Sequence, residues 1–522
     1  MAAFYALFST RARPANVVHL CDDIACQLAG AESVCAALEE GLGPEGEAWS
    51  RSPCLGRCER GPAALLTYTG PGARAETLAP ADAMTLGDLL DGSQLRRDTF
   101  VGASVPQLGD ASLRLLARVG VVDPGSLGDY QAHGGYRALA RALTIGREAA
   151  TAEVAQSGLL GRGGAAFPTG RKWTAVAGQA AQPHYVVCNA DESEPGTFKD
   201  RVLLEHDPFA VVEAMTIEGF AVGASRGYLY VRGEYPEAGS RVRVAVEAAR
   251  DAGLLGANIK GSGFDFDIDL RRGAGAYICG EETALFASIE GHRGEPRNKP
   301  PYPVQAGLFG KPTAVNNVET LANVLLVLAE AGGGEAFAKV GTVHSTGTKL
   351  FCLSGHVAKP GVYEVPFGAT LRELIALAGG VPGGRDIRAV LLGGVAGVFV
   401  GPEALDTELT IEGTRAIGAS LGSGVVMVFD ETADLLATMR RIAAFFRDES
   451  CGQCVPCRIG TKRQEELMER LDGRGAGAER DGTIDLLADL GLGMRDASIC
   501  GLGQTASAAI ESVLARPEML RS

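Results

Sequence analysis

The sequence predicts a multidomain α/β protein, on three observations. Residues 141–335 alternate short apolar runs with helical patterns, the rhythm of an α/β sheet. Residues 336–428 read as hairpin-like strands, one helix and further strands, a small β-grasp domain. Residues 429–522 carry only helical spacing, which predicts a C-terminal helical bundle. A length of 522 residues leads one to expect three or four such units.

Composition narrows the function classes. Hydrophobic residues make up 46% of the chain, enough for several cores, and the net charge of −14 argues against nucleic acid or an anionic membrane as partner. The longest apolar stretch, around Leu321 to Ala331, is too short to span a bilayer. The opening MAAFYALFSTRAR has no basic region ahead of its apolar residues, so no secretory signal is expected and a cytoplasmic location is. In that setting twelve cysteines, several in tight clusters, point to metal ligands rather than disulfides.

Residues 1–75 hold the first cysteine set, Cys21-x4-Cys26 and Cys54-x3-Cys58. Four thiolates complete a [2Fe–2S] site, and Cys54 and Cys58 sit in a loop after a proline. Cys35 lies in a helical pattern, SVCAALEE, and reads as core. Residues 76–140 read as a partly helical linker, with helical spacing in PADAMTLGDLLDG and DASLRLLARVGVVDP and no clear period from Asp98 to Gly109.

The most informative stretch runs from Gly158 to Arg201. Its first half, GLLGRGGAAFPTGRKW, sets Gly161, Gly163 and Gly164 around Arg162, Phe167 and Lys172. Glycines let a backbone approach a ligand and turn its N–H groups toward an anion. The plain alternative is a flexible connector. GRGGAA nearly fits the dinucleotide fingerprint, but Arg147 to Leu160 reads as a helix where a strand is needed. Phe167-Pro168-Thr169-Gly170 is then expected to break any helix that would follow. The second half is an apolar run, Tyr185 to Cys188, ending in Asn189, Asp191, Glu192 and Glu194. A strand ending this way puts polar groups where an open α/β sheet binds its ligand.

Further on, GAGAYICGEETALFASIEG places glycines before a helix beginning near Glu281, a terminus that suits an anion. Cys279 lacks a partner cysteine at useful spacing and reads as structural. KPPYP at 299–303 is a rigid extended segment whose Tyr302 could line a nucleotide pocket. Val315, Asn316 and Asn317 open another helix, where asparagine is an ordinary cap. Cys352 falls within a strand and is expected to be buried. The second cysteine set is Cys451-x2-Cys454-x2-Cys457 with Cys500 as a distant fourth, a strong [4Fe–4S] signal. Zinc is the alternative, but structural zinc prefers two separated pairs and no histidine lies near the run.

GRGGAAFPTGRKW, NADESEPGTFKDR, GAYICGEETALFASIEG, KPTAVNNVETLANV and SCGQCVPCRIGT occur in that order, and together they resemble the flavin- and NADH-binding subunit of respiratory complex I. The same module recurs in NAD-linked formate dehydrogenases, bidirectional hydrogenases and electron-bifurcating hydrogenases. The resemblance covers roughly residues 140–510 and implies a non-standard Rossmann-like site for FMN and NAD(H) within residues 141–335. It implies that Glu192 and Glu194 hydrogen-bond the nucleotide and that Lys172 and Asn189 contact the flavin. It places Gly280, Glu281 and Glu282 near the flavin with Tyr277 beside them, and Val315, Asn316 and Asn317 in a flavin-binding loop. Phe167 and Tyr302 are candidates to face the adenine. The N-terminal cysteine spacing resembles the thioredoxin-like [2Fe–2S] ferredoxin that partners the flavin subunit, here fused to it.

The implied activity is a diaphorase: hydride exchange between NAD(H) and FMN, then single electrons to iron–sulfur clusters. No molybdenum or nickel motif is visible, so the other half-reaction belongs to a partner. The fused architecture resembles the β subunit of a soluble NAD-dependent formate dehydrogenase. This implies a large molybdopterin and iron–sulfur subunit and a small [2Fe–2S] thioredoxin-like subunit as partners. The flavin subunit of a bidirectional hydrogenase or of complex I is the alternative. From a different class, a non-catalytic electron-relay or scaffold subunit is weighed against it.

Overall fold

The computed structural model describes residues 4–70, 72–90, 101–472 and 478–520. Three sheets organise these residues. The first is built from β1 (Asn16–Cys21), β2 (Trp49–Ser52), β3 (Ala64–Tyr68) and β4 (Arg74–Leu78) in the order β2-β1-β3-β4. Only β1 and β2 run parallel. Val18, Leu20, Cys35, Leu66, Leu86 and Leu89 share its core. Cys35 is therefore core, as its helical pattern implies. Leu86 and Leu89 come from the helix Ala83–Leu90, so this core continues past residue 75 and takes up the first part of the expected linker.

The helical spacing of DASLRLLARVGVVDP gives no helix. Its leucines are buried one by one against the neighbouring units, and the Glu364 carboxylate accepts the backbone N–H groups of Arg114, Leu115 and Leu116 at 3.0–3.1 Å. Tertiary anchoring thus overrides a local periodicity. Part of the aperiodic stretch Asp98 to Gly109, residues 98–100, lies outside the described residues.

The second sheet is wholly parallel, β7-β6-β5-β8, from β5 (His184–Ala190), β6 (Ala224–Val231), β7 (Asp267–Arg272) and β8 (Thr313–Asn317). The central β5 is covered on both faces, which is why it reads as a nearly unbroken apolar run. The helix Pro208–Val222 is buried along its whole length. Register sets Asn189 beside Asn317, at the carboxyl ends of adjacent strands. Those ends are where a parallel sheet gathers ligand groups.

The third sheet is mixed, β10-β9-β13-β11-β12, from β9 (Thr348–Gly355), β10 (Gly361–Pro366), β11 (Ile387–Leu392), β12 (Val398–Val400) and β13 (Val425–Asp430). Cys352 on β9 is fully buried. The C-terminal part is helical, with Leu435–Glu449, Val455–Asp472, Ala478–Ala497 and Ala508–Leu514 packed on one another. Among the described residues no helix is long and apolar enough to cross a membrane.

Candidate functional site

The acidic loop that leaves β5 is the centre of the site. Asn189 donates from Nδ2 to the Gly280 carbonyl at 2.8 Å, and its Oδ1 accepts from the Asp191 N–H at 3.2 Å. This ties the end of β5 to the turn Tyr277–Gly280. The Asp191 Oδ2 atom is shut off from solvent and has no partner, and burial pushes its carboxyl well above the usual carboxylate range. A side chain at position 280 would crowd it: a Cβ there would lie 3.3 Å from the Asp191 carbonyl and 3.6 Å from Oδ2. The glycine lets the turn pack closely against this buried acid.

Glu192 and Glu194 part company. Both carboxylate oxygens of Glu192 are taken by protein donors, the Asp200 and Arg201 N–H groups at 2.8 and 3.0 Å and the Tyr235 hydroxyl at 3.2 Å. Glu192 therefore caps the helix Lys199–His206 from outside, and burial raises its carboxyl to about 8. Glu194 points the other way, into the loops of the third sheet. It accepts from the Ala396 N–H and the Ser423 hydroxyl, each at 3.2 Å, and burial raises it to about 7.

The glycine loop lies between two helices, Arg147–Gln156 and Thr169–Ala177. The first agrees with the reading of Arg147 to Leu160. The second corrects the expectation of a break at Pro168: the proline occupies the N-cap, where its missing N–H costs nothing, and starts the helix. Gly170 serves packing, since a Cβ there would meet the Ala155 Cα at 2.5 Å. Gly163 faces Asn317, and a Cβ at Gly163 would lie 3.1 Å from the Asn317 Cβ. The Arg162 backbone N–H donates to the Thr320 hydroxyl at 2.8 Å, and its guanidinium lies over the Phe367 ring at 4.6 Å. Arg162 Nε and Nη1 are buried without partners, and burial lowers the group to about 10. Lys172 is drawn under the loop, where Nζ donates to the Val315 carbonyl at 2.5 Å and burial lowers its pKa. Gly161, Arg162 and Gly164 border a cavity of about 190 Å³ shared with Lys349 and Arg415.

Other expected residues fall into supporting positions. Asn316 turns inward and donates to Glu218, whose carboxyl burial raises to about 8. Asn317 caps the helix Val318–Leu328 through the Glu319 N–H and donates to Asp200 at 2.6 Å. The helix after the glycine turn is Glu282–Ile289, and Glu281 itself caps it, accepting from Thr283 and Ala284 N–H groups. The anion expected at that terminus is thus the protein's own carboxylate. Lys299 bridges Glu281 and Glu282 at 2.9 and 2.6 Å and so fastens the proline segment to this helix. Phe167 and Tyr302 are both about half exposed and free to meet a ligand face. The Tyr277 backbone N–H donates to Glu449 at 2.8 Å, and its ring meets Phe445 at 5.2 Å.

Sequence reasoning passed over a buried ion network behind the glycine loop. Lys199 Nζ reaches Asp200 at 2.7 Å, Glu319 at 3.0 Å and Asn317 at 3.2 Å. Lys349 Nζ reaches the same Glu319 oxygen at 3.1 Å. Burial lowers Lys349 to about 8; it would raise Glu319, but Lys349, Lys199 and Arg162 outweigh it and hold that carboxyl low. The available signal was Lys199 and Asp200 following the acidic loop, and a glutamate two residues after the asparagine pair.

Both cysteine sets converge. Cys21 ends β1, Cys26 lies on the helix Ile24–Leu28, and Cys54 and Cys58 belong to the loop after β2. Cys54 and Cys58 sulfurs lie 3.4 Å apart, and the Cys21 thiol contacts both Cys26 and Cys54. In the C-terminal part, Cys451, Cys454 and Cys457 lead into the helix Val455–Asp472, and the helical hairpin returns Cys500 to them. Ser450 stands 3.3 Å from the Cys457 sulfur. Among the described residues no three of these side chains are arranged to hold a metal ion, but the donor set at each place, four thiols, is the one iron–sulfur ligation uses. The glycine loop beside Asn317 and the unpartnered, buried Asp191 oxygen fit a hydrogen-bonding cofactor at the sheet end.

Comparison with known proteins agrees with this geometry. Residues 154–326 match the family described as Nuo51 FMN-binding domain, and residues 437–518 match the NADH-ubiquinone oxidoreductase-F iron-sulfur binding region. Residues 350–398 match the SLBB domain and residues 1–78 the thioredoxin-like [2Fe-2S] ferredoxin. The chain is 47% identical to the NADP-reducing hydrogenase subunit HndC of Solidesulfovibrio fructosivorans over 75% of its length and 79% of that protein. It is 46% identical to the F subunit of the NADH-quinone oxidoreductase of Aquifex aeolicus (strain VF5) over 74% and 89%. A crystal structure of NAD+-reducing [NiFe]-hydrogenase in the air-oxidized state superposes with a TM-score of 0.82 at 32% identity, covering 99% of this chain and 87% of that one.

Proposed function

Because the chain belongs to the complex I family of NADH-binding flavin subunits, with FMN, a [4Fe–4S] cluster and a thioredoxin-like [2Fe–2S] domain, we propose that it is the diaphorase subunit of a larger NAD-linked enzyme. The observation that carries this reading is the carboxyl end of the parallel sheet, where Asn189 and Asn317 lie side by side under the glycine loop and Asp191 keeps a buried oxygen without a partner. When bound, the flavin supplies the change from two-electron hydride to single electrons. Gly161, Gly163 and Gly164 with Lys172 and Asn317 would hold it. Glu194 meets the nucleotide, and Glu192 acts on it indirectly by fixing the loop to the helix Lys199–His206. Phe167 and Tyr302 offer faces for the adenine. Cys451, Cys454, Cys457 and Cys500 ligate the [4Fe–4S] cluster, and Cys21, Cys26, Cys54 and Cys58 the [2Fe–2S] cluster.

Gly163→Val tests the cradle. The added methyls must push Asn317 aside, since a Cβ alone already lies 3.1 Å from it. A loss of about tenfold or more in flavin affinity, roughly 1.4 kcal/mol, is expected, read as flavin per folded chain. A variant isolated with full flavin would remove these glycines from the cradle.

Glu194 gives the site a pH dependence of definite sign. Its carboxyl titrates at about 7, so it is mostly neutral at pH 6 and charged at pH 8. A dinucleotide carries its own negative pyrophosphate, so the KM for NADH should rise with pH across this window, by about tenfold at most for a single titrating group. Glu194→Gln stays neutral and should flatten the profile. An unchanged profile in that variant would place Glu194 away from the nucleotide.

For the partner, the fused N-terminal ferredoxin-like domain supports the β subunit of an NAD-dependent formate dehydrogenase, with a molybdopterin subunit alongside. The hydrogenase reading has its own support in the full-length likeness to an NAD+-reducing [NiFe]-hydrogenase. Metal analysis of the complex purified through this chain separates them: molybdenum supports the first and nickel the second. Neither metal, together with no NADH:dye activity, would favour a relay subunit.

A further inference from the structure

A cleft of about 1030 Å³ lies away from the glycine loop, between the first and second sheets. Seven consecutive residues, Ala73 to Ala79, line it. A strand face would contribute only every second residue, so β4 presents its backbone edge to the cleft. The sheet order makes β4 an edge strand, and the opposite wall includes Leu270, Arg271 and Arg272 from β7, the edge of the parallel sheet. Among the described residues, no backbone bond from another element reaches Arg74–Leu78 on the side away from β3. An unpaired edge of this kind is a template for an added strand.

Charge selects what fits. Nine arginines and only four carboxylates line the cleft, on a chain of net charge −14. Several arginines are spoken for, such as Arg57 with Glu205 and Arg241 with Glu237. Among the described residues, the exposed Arg271 and Arg272 meet the Tyr228 ring and the Gly233 carbonyl, neither of which neutralises them. Arg243 is exposed on the helix Pro236–Asp251, which packs beside β4.

We infer that this cleft receives an extended, acidic segment of a partner subunit, which adds a strand to the β4 edge while its carboxylates meet Arg243, Arg271 and Arg272. Main-chain bonds supply affinity and the arginines supply specificity and register. A segment running alongside residues 73–79 would extend for about 20–25 Å. The inference rests on the reading of this chain as a subunit of a larger enzyme.

The test uses the native complex carrying p-benzoylphenylalanine at position 75, and in a second preparation at the exposed position 73. Irradiation is expected to join this chain to an acidic segment of another subunit, identified by mass spectrometry. Arg243→Glu with Arg271→Glu is expected to cut the adduct at least fivefold while NADH:dye activity stays within twofold. Adducts confined to this chain, adducts with a neutral or basic segment, no adduct at either position, or an adduct indifferent to the charge reversal would each overturn it. Loss of NADH:dye activity in the parent complex would instead count against the diaphorase reading.

Discussion

Glu319→Ala is expected to destabilise the flavin-binding part of the chain by about 3–5 kcal/mol, the cost of breaking a buried ion pair from one side. Glu319 is fully buried and serves two equally buried lysines, Lys199 and Lys349, while its other oxygen accepts the Leu350 N–H at 2.9 Å. Lys199 would keep Asp200. Lys349 would keep the Ser423 carbonyl and the Phe351 ring but no carboxylate among the described residues. The sign of the pH dependence follows. Lys349 already titrates low, at about 8, so in the variant it sheds its proton readily as pH rises and the unpaired charge goes with it. The loss of stability should therefore be larger at pH 6 than at pH 9. Thermal unfolding of wild type and variant at both pH values reads this directly, and an equal loss at both would remove Lys349 from the explanation.

Cys454→Ala is expected to abolish electron delivery to the partner while leaving the first half-reaction. The substitution leaves three sulfurs, Cys451, Cys457 and Cys500, which cannot complete a four-thiolate site. Cys454 is only partly buried, so the alanine opens little space and the helices around it should still pack. Bleaching of the flavin by NADH needs no cluster and should persist. Partner-linked turnover should fall by about a hundredfold or more, which corresponds to some 2.7 kcal/mol. Iron content and the [4Fe–4S] spectroscopic signal of the reduced protein should fall with it. Full turnover in the variant would show that electrons leave the flavin by another route.

Much of the fold was legible because it rests on local pattern. The doubly covered β5 could be read as an apolar run, and the acidic groups at its end fall where a parallel sheet places ligand groups. Both cysteine sets were visible as spacing, since the cysteines within each loop lie a few residues apart. What could not be read is what depends on distant partners. Glu192 and Glu194 are two residues apart and chemically alike, yet one caps a helix and the other faces the third sheet. Residues 110–124 have helical spacing but are held by Glu364, some 250 positions away in the chain. Pro168 was read as a break where it is a start, a difference that turns on one φ angle and one absent donor. The Lys199–Glu319–Lys349 network joins three segments whose proximity no periodicity announces.

The junction of the N-terminal unit with the parallel-sheet unit has a consequence for descent. Arg201 is fully buried, and its guanidinium is held by Glu59, by Glu205 and by the Gly56 carbonyl. At Gly56 even a Cβ would lie 2.0 Å from the Tyr235 hydroxyl. The two units form interlocking halves of one interior. Substitutions at Glu59, Gly56, Arg201 or Tyr235 in one half are therefore constrained by the other, and the two should be inherited, recombined and engineered as a pair. Exchanging the N-terminal unit for that of a relative would succeed only if the donor brings a glycine and a carboxylate to these same two places.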